Sequence, residues 1–177
     1  MPATVKVYEK NGSGETATDK TSGTVRLKKA DNATVDLNDP LVVPTSGYDY
    51  SYEKWLRLNI ASGTFTQISN LRAYTDGTSN FGTGATLYFA VDSAYSTPVI
   101  PSTSNNPPQH DSVAMTSAFN YTSASPIDLD AINTGPFDST SLPKDIGDYL
   151  VAVMSIASTA TQGLLTSESV VFSWDEI

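Results

Sequence analysis

The chain has 177 residues, a net charge of −9 and no cysteine. That length supports one domain with a hydrophobic core, and the missing thiols exclude a disulfide scaffold, a cysteine nucleophile and Cys-ligated zinc. With only ten Lys and Arg, no basic face exists beyond the short cluster Arg26, Lys28 and Lys29, so neither nucleic acid nor an anionic membrane is an expected partner.

Apolar residues make up 39% and charged residues 16% of the chain, below the usual globular averages. Ser, Thr, Asn and Gly fill the difference, and they disfavour long helices because their side chains compete for backbone hydrogen bonds. Nine Tyr, six Phe and two Trp nevertheless supply a core that disordered chains lack. No apolar run reaches membrane-spanning length. Met1 to Tyr8 alternates like a strand and lacks the basic and apolar regions of a signal peptide, so synthesis and retention in the cytoplasm are expected.

The hydrophobic period is two almost throughout. Val5 and Val7 alternate with Lys6 and Tyr8 before the turn Asn11-Gly-Ser-Gly14. Val25 and Leu27, then Val35 and Leu37, read as two further short strands with one wet face. From Tyr48 to Ile60, Tyr48, Tyr50, Tyr52, Leu56, Leu58 and Ile60 share one parity, which puts them on one face of a strand, broken only by Lys54. Ile68, Leu71 and Ala73 follow, and the parity change between Ile68 and Leu71 predicts a β-bulge near Asn70. Leu87, Phe89 and Val91 form another strand. Residues 96–147 carry seven prolines (Pro98, Pro101, Pro107, Pro108, Pro126, Pro136 and Pro143) and read as a long irregular excursion, with at most a short helical turn around Val113 to Phe119. Tyr149 to Ile156 is apolar on both faces, the mark of a central strand. The last strand, Ser169 to Trp174, places Val170, Phe172 and Trp174 together.

Roughly eight strands with turns between them predict an all-β antiparallel sandwich of jelly-roll type with a long Pro-rich loop. A single domain spans 1–177, with residues 1–20 as a possible N-terminal arm and 96–147 as the excursion. Leu56, Leu58, Ile60, Leu87, Phe89, Val151, Val153, Val170 and Phe172 are the expected core between two sheets.

No catalytic constellation stands out. The single histidine, His110, has no G-x-S-x-G elbow or other nucleophile context and is expected as an exposed loop residue. Glu53, Asp76, Asp92, Asp145 and Glu168 could supply a glycosidase pair, but all fall at strand ends or turns where solvated carboxylates are common. Asp128-Leu-Asp130-Ala-Ile-Asn133, and Asp31 and Asn32 with Asp36, Asn38 and Asp39, are rich in oxygens, yet neither fits an EF-hand loop, and turn chemistry explains them. Sequons at Asn11, Asn32 and Asn120 carry little weight in so Ser/Thr-rich a chain. The row Tyr48, Tyr50 and Tyr52 is either a sugar-stacking or interface platform or a continuation of the core face. No catalytic residue, cofactor or metal is expected.

The segments Asp148-Tyr-Leu-Val-Ala-Val-Met-Ser-Ile156, Thr159-Ala-Thr-Gln-Gly163 and Glu168-Ser-Val-Val-Phe-Ser-Trp-Asp-Glu176 resemble small structural proteins of tailed bacteriophages. In these a hydrophobic strand leads through a Thr/Ala/Gly turn to a last strand ending in aromatic-Asp-Glu. Trp55-Leu-Arg-Leu-Asn59 to Ile68-Ser-Asn-Leu-Arg-Ala-Tyr74 is similar to the paired sheet strands of the same group. The Pro-rich excursion has no counterpart. The resemblance covers about half of the chain and implies a virion structural protein, a capsid decoration or cement protein on the major capsid lattice, often trimeric, made in the host cytoplasm. A neck or head–tail joining protein and a carbohydrate- or receptor-binding module are the alternatives. The expected contact residues are Val5, Val7, Tyr8, Val99 and Ile100, with Tyr48, Tyr50 and Tyr52.

Overall fold

In a computed structural model describing residues 1–177, the alternating segments become strands and the chain is all-β. In order these are β1 (Thr4–Asn11), β2 (Thr16–Asp19), β3 (Tyr48–Tyr50), β4 (Lys54–Ser62), β5 (Ile68–Tyr74) and β6 (Ala85–Asp92). The excursion then contributes β7 (Gln109–His110), β8 (Val113–Ala114), β9 (Thr116–Ser117) and β10 (Ile127–Asp128), and β11 (Lys144–Ala157) and β12 (Val171–Glu176) follow. The single helical element is a 3-10 turn at Ala118–Asn120.

One sheet has seven strands in the order β2-β1-β4-β11-β6-β9, with β3 added beside β11; a second has three, β10-β5-β12; β7 and β8 form a separate pair. Every pairing is antiparallel. The strands divide seven to three rather than into the two Greek-key sheets of a jelly roll. Within residues 1–20, the possible N-terminal arm, β1 and β2 belong to the larger sheet.

β11 is the spine of that sheet. Leu150, Ala152, Met154 and Ile156 point to the inner core with Leu56, Leu58, Ile60, Leu87 and Phe89, and Ile68, Leu71 and Ala73 of β5 close it from the second sheet. Tyr149, Val151 and Val153 point the other way, into a cluster with Tyr50, Trp55 and Met115. Val151 and Val153 are thus buried, but not between the two sheets as the sequence suggested: the excursion covers this outer face and gives β11 a second dry side. Val170 and Phe172 are only half-buried against the inner core.

The tyrosine row also changes sides. Between β3 and β4 the chain leaves strand geometry at Ser51 to Glu53, so Tyr50 joins Trp55 on the outer face while Leu56 faces inward. The bulge near Asn70 is present. Ser173 pairs with Arg72 and Asp175 with Ser69, leaving Trp174 opposite both Asn70 and Leu71, and Asn70 takes a left-handed φ of 55°.

The strands expected around Val25–Leu27 and Val35–Leu37 do not form; residues 20–47 are irregular. Buried ammonium groups take carbonyls that a ladder would need. Lys20 Nζ donates to Thr24 O and Ala33 O at 2.9 and 2.7 Å, and Lys54 Nζ donates to Asn32 O at 2.7 Å. Both lysines converge on Glu9, at 3.5 and 3.1 Å, and Glu9 and Lys54 are wholly buried.

Candidate functional site

The polar groups with the most organised surroundings lie on the outer face of the large sheet, under the excursion. Strand β7 lays His110 against the sheet, where its ring meets the edge of Trp55 at 5.2 Å between centroids. His110 Nδ1 lies 2.8 Å from Glu53 Oε1 and Nε2 lies 3.1 Å from Asp92 Oδ2. The sequence reading of an exposed loop histidine is therefore corrected: His110 is 6% exposed. Its two carboxylate partners stand 57 and 18 residues upstream, a separation no local pattern reveals.

Burial alone would push the His110 proton off. The hydrogen bond and charge of Glu53, the Asp92 hydrogen bond and the Asp111 charge overrule it and lift the pKa to about 9. At neutral pH the ring is an imidazolium donating from both nitrogens, so it has no lone pair with which to deprotonate a nucleophile. Glu53 is equally committed: Oε2 accepts from Trp55 Nε1 at 3.2 Å and from Val99 N at 3.3 Å, and the Glu53 N–H donates to Val99 O at 2.9 Å. One buried carboxylate thus ties β4 to both ends of the segment from Val99 to His110.

Asp92, His110 and Asp111 bring their ligand atoms within 4.8 Å of one another, and they are the residues positioned to hold a cation. A metal there would have to displace the Nε2 proton that His110 donates to Asp92, so the arrangement is better suited to an ion-paired clamp.

A second cluster lies beside it. Arg57 lies over the Tyr149 ring at 4.4 Å and donates to Tyr149 Oη and Gly147 O, each at 2.8 Å. Tyr149 Oη donates to Glu15, and burial together with that carboxylate raises its pKa to about 12. Asp145 accepts from Lys10 and Asn59, each at 2.7 Å. Burial opposes its ionisation, but these donors outweigh it and hold its pKa below the ordinary value.

Of the carboxylates considered for glycoside hydrolysis, Glu53, Asp92 and Asp145 are thus held by His110 and Lys10. Asp76 accepts from Thr78 N in its own turn, and Glu168 binds Asn80. The oxygen-rich stretches serve the loops: Asp128 accepts from Asp130 N, Asp31 from Asn11 and Gly12, and Asp36 from Lys28 and Asn38.

The expected contact residues fall into three places. Val99 and Ile100 are exposed at 54% and 36%, joined by Val113 at 69% on β8, the strand paired with His110. Val5 and Val7 pack against the inner core, while Tyr8 is half-buried. Along β1, Tyr8 to Lys10 pair with β2 on one side and β4 on the other, whereas Thr4 to Val7 have a strand partner only in β4. Tyr50 is fully buried, with its hydroxyl on Asn105 O, so Tyr48, Tyr50 and Tyr52 form no continuous exposed platform.

Within the inner layer, a cavity of about 1020 Å³ opens between the large sheet, residues 20–43 and residues 160–172. It belongs to no pattern read from the sequence, since its walls come from segments far apart in the chain. Comparison with protein-family models, curated proteins and solved structures returns no match to this chain.

Proposed function

We propose that the protein is a non-enzymatic virion structural protein that binds the major capsid lattice of a tailed bacteriophage as a decoration or cement protein. The resemblance of residues 148–176 to such proteins motivates this reading. The observation that best supports it is the presentation of Val99, Ile100 and Val113. These apolar side chains are exposed, yet the backbone carrying them hangs from buried Glu53 and His110. A loop already ordered loses little entropy when it binds, so exposed apolar groups on it favour an interface. An acidic surface keeps the unassembled protein soluble, and repetition of a modest contact on a lattice, or within a trimer, sums to firm attachment.

The test is incorporation into particles. The triple variant Val99→Ser/Ile100→Ser/Val113→Ser should fold, because these side chains are exposed, and should be lost from purified particles. Normal incorporation would refute the contact. Copy number in wild-type particles separates a lattice-wide decoration protein from a neck protein confined to one ring, and absence from particles would overturn the virion reading.

A further inference from the structure

The sandwich is incomplete. Seven strands face three, so beyond β12 the inner face of the large sheet has no strand above it. There Leu56, Leu87, Phe89, Met154 and Ile156 form the floor of the cavity of about 1020 Å³. Protein interiors pack to the density of organic crystals, with few voids larger than a water molecule. This space has an apolar floor but opens to solvent, and Arg26, Lys28, Asp36 and Glu168 share its walls, the make-up of a binding groove rather than of a closed void.

The backbone beside it is also unfinished. β12 pairs with β5 alone, and no backbone hydrogen bond reaches its other edge. Residues 161–170 lead into β12, line the same cavity and make no backbone–backbone hydrogen bond. Val170 and Phe172 turn into the cavity from this run. Three carboxylates accompany it, and their hydrogen-bond donors are all neutral: Asn80 for Glu168, Asn70 for Asp175 and the Ala3 N–H for Glu176.

We propose that an extended segment of another protein chain adds to the free edge of β12 and completes the second sheet. A small molecule could fill the cavity but would leave the edge unpaired; an extended peptide answers both. Side chains alternate across a strand, so every second residue of the segment is apolar and enters the cavity above Leu56, Leu87 and Met154. Asp175 and Glu176 point to opposite faces of β12, so the intervening residues include Lys or Arg facing Asp175, and Glu168 in the cavity wall takes a further cation from the segment. In this mode main-chain hydrogen bonds supply affinity and the alternate pockets supply sequence preference. The inference stands apart from the virion reading and names a different surface from Val99, Ile100 and Val113.

The probe is a randomised ten-residue peptide library selected on the full chain. It is counter-selected against Ala152→Leu, which fills the cavity from its floor, and against Val170→Trp, which blocks its rim should the first variant fail to fold. Enriched peptides should alternate apolar with Lys, Arg or other polar residues. A synthesised winner should slow hydrogen exchange at the amides of Val171 to Glu176 and bind about tenfold more weakly, a loss of about 1.4 kcal/mol, to Glu168→Gln/Asp175→Asn. No enrichment, or enriched peptides that leave the β12 amides exchanging as before, would overturn the proposal. Saturable binding of oleate that fades in Arg26→Gln, without peptide enrichment, would overturn it in favour of an aliphatic carboxylate. Arg26 lines the cavity and would be the cation for that ligand.

Discussion

Replacing His110 with Gln tests whether the charge on the ring, rather than its shape, holds the excursion to the sheet. The imidazolium lies between Glu53 and Asp92 with 6% exposure, and its pKa rises from an ordinary 6.5 to about 9. Each tenfold gain in proton affinity on folding is worth roughly 1.4 kcal/mol, so the clamp contributes about 3 kcal/mol. Because the folded pKa lies above the unfolded one, this contribution is complete below about pH 6.5 and fades as the pH rises through about 9. Removing the cation also leaves Glu53 buried without a counter-charge, a change that costs about 3–5 kcal/mol when one partner of a buried pair is lost. Urea unfolding of wild type and His110→Gln at pH 6.5 and pH 10 checks this. The variant should be less stable by about 3 kcal/mol at the lower pH, and the gap should shrink at the higher. His110→Gln/Glu53→Gln should cost less than the two single changes added together. An equal gap at both pH values, with additive mutations, would refute a charged clamp.

Lys54→Met should destabilise by about 3–5 kcal/mol, because wholly buried Glu9 then keeps only Lys20 as a cation; hydrogen exchange should show residues 24–36 opening first. Gly147→Ala should cost about 2 kcal/mol or more in thermal unfolding, since Gly147 holds a φ of +65° and an added Cβ would run into the Leu129 carbonyl oxygen. Leu150→Ala, at a fully buried site of the inner core, should cost about 2–5 kcal/mol in urea unfolding. Phe172→Ala should cost less than a fully buried Phe→Ala, because Phe172 is half-buried beside the cavity.

Strand identity along β1, β4, β5, β6 and β11 was legible in the sequence, because a period of two survives whatever the partner strand is. The bulge at Asn70 was legible for the same reason, as a break in parity between Ile68 and Leu71. Parity failed where a segment had no ladder to join. Val25–Leu27 and Val35–Leu37 alternate, but Lys20 and Lys54 claim neighbouring carbonyls at Thr24, Asn32 and Ala33. It failed again at Ser51 to Glu53, where leaving the strand moved Tyr50 to the opposite face from Leu56. The site on the outer face could not be read in advance at all. Glu53, Asp92 and His110 look like ordinary turn residues until the excursion folds back, because pairing of buried charges depends on distances across the fold and not on spacing along the chain. Local alternation was enough to set the all-β class and the two-sided apolar character of β11. What covers each face of β11, which charges meet beneath the excursion and where the second sheet stops short depend on long-range packing, which local pattern does not encode.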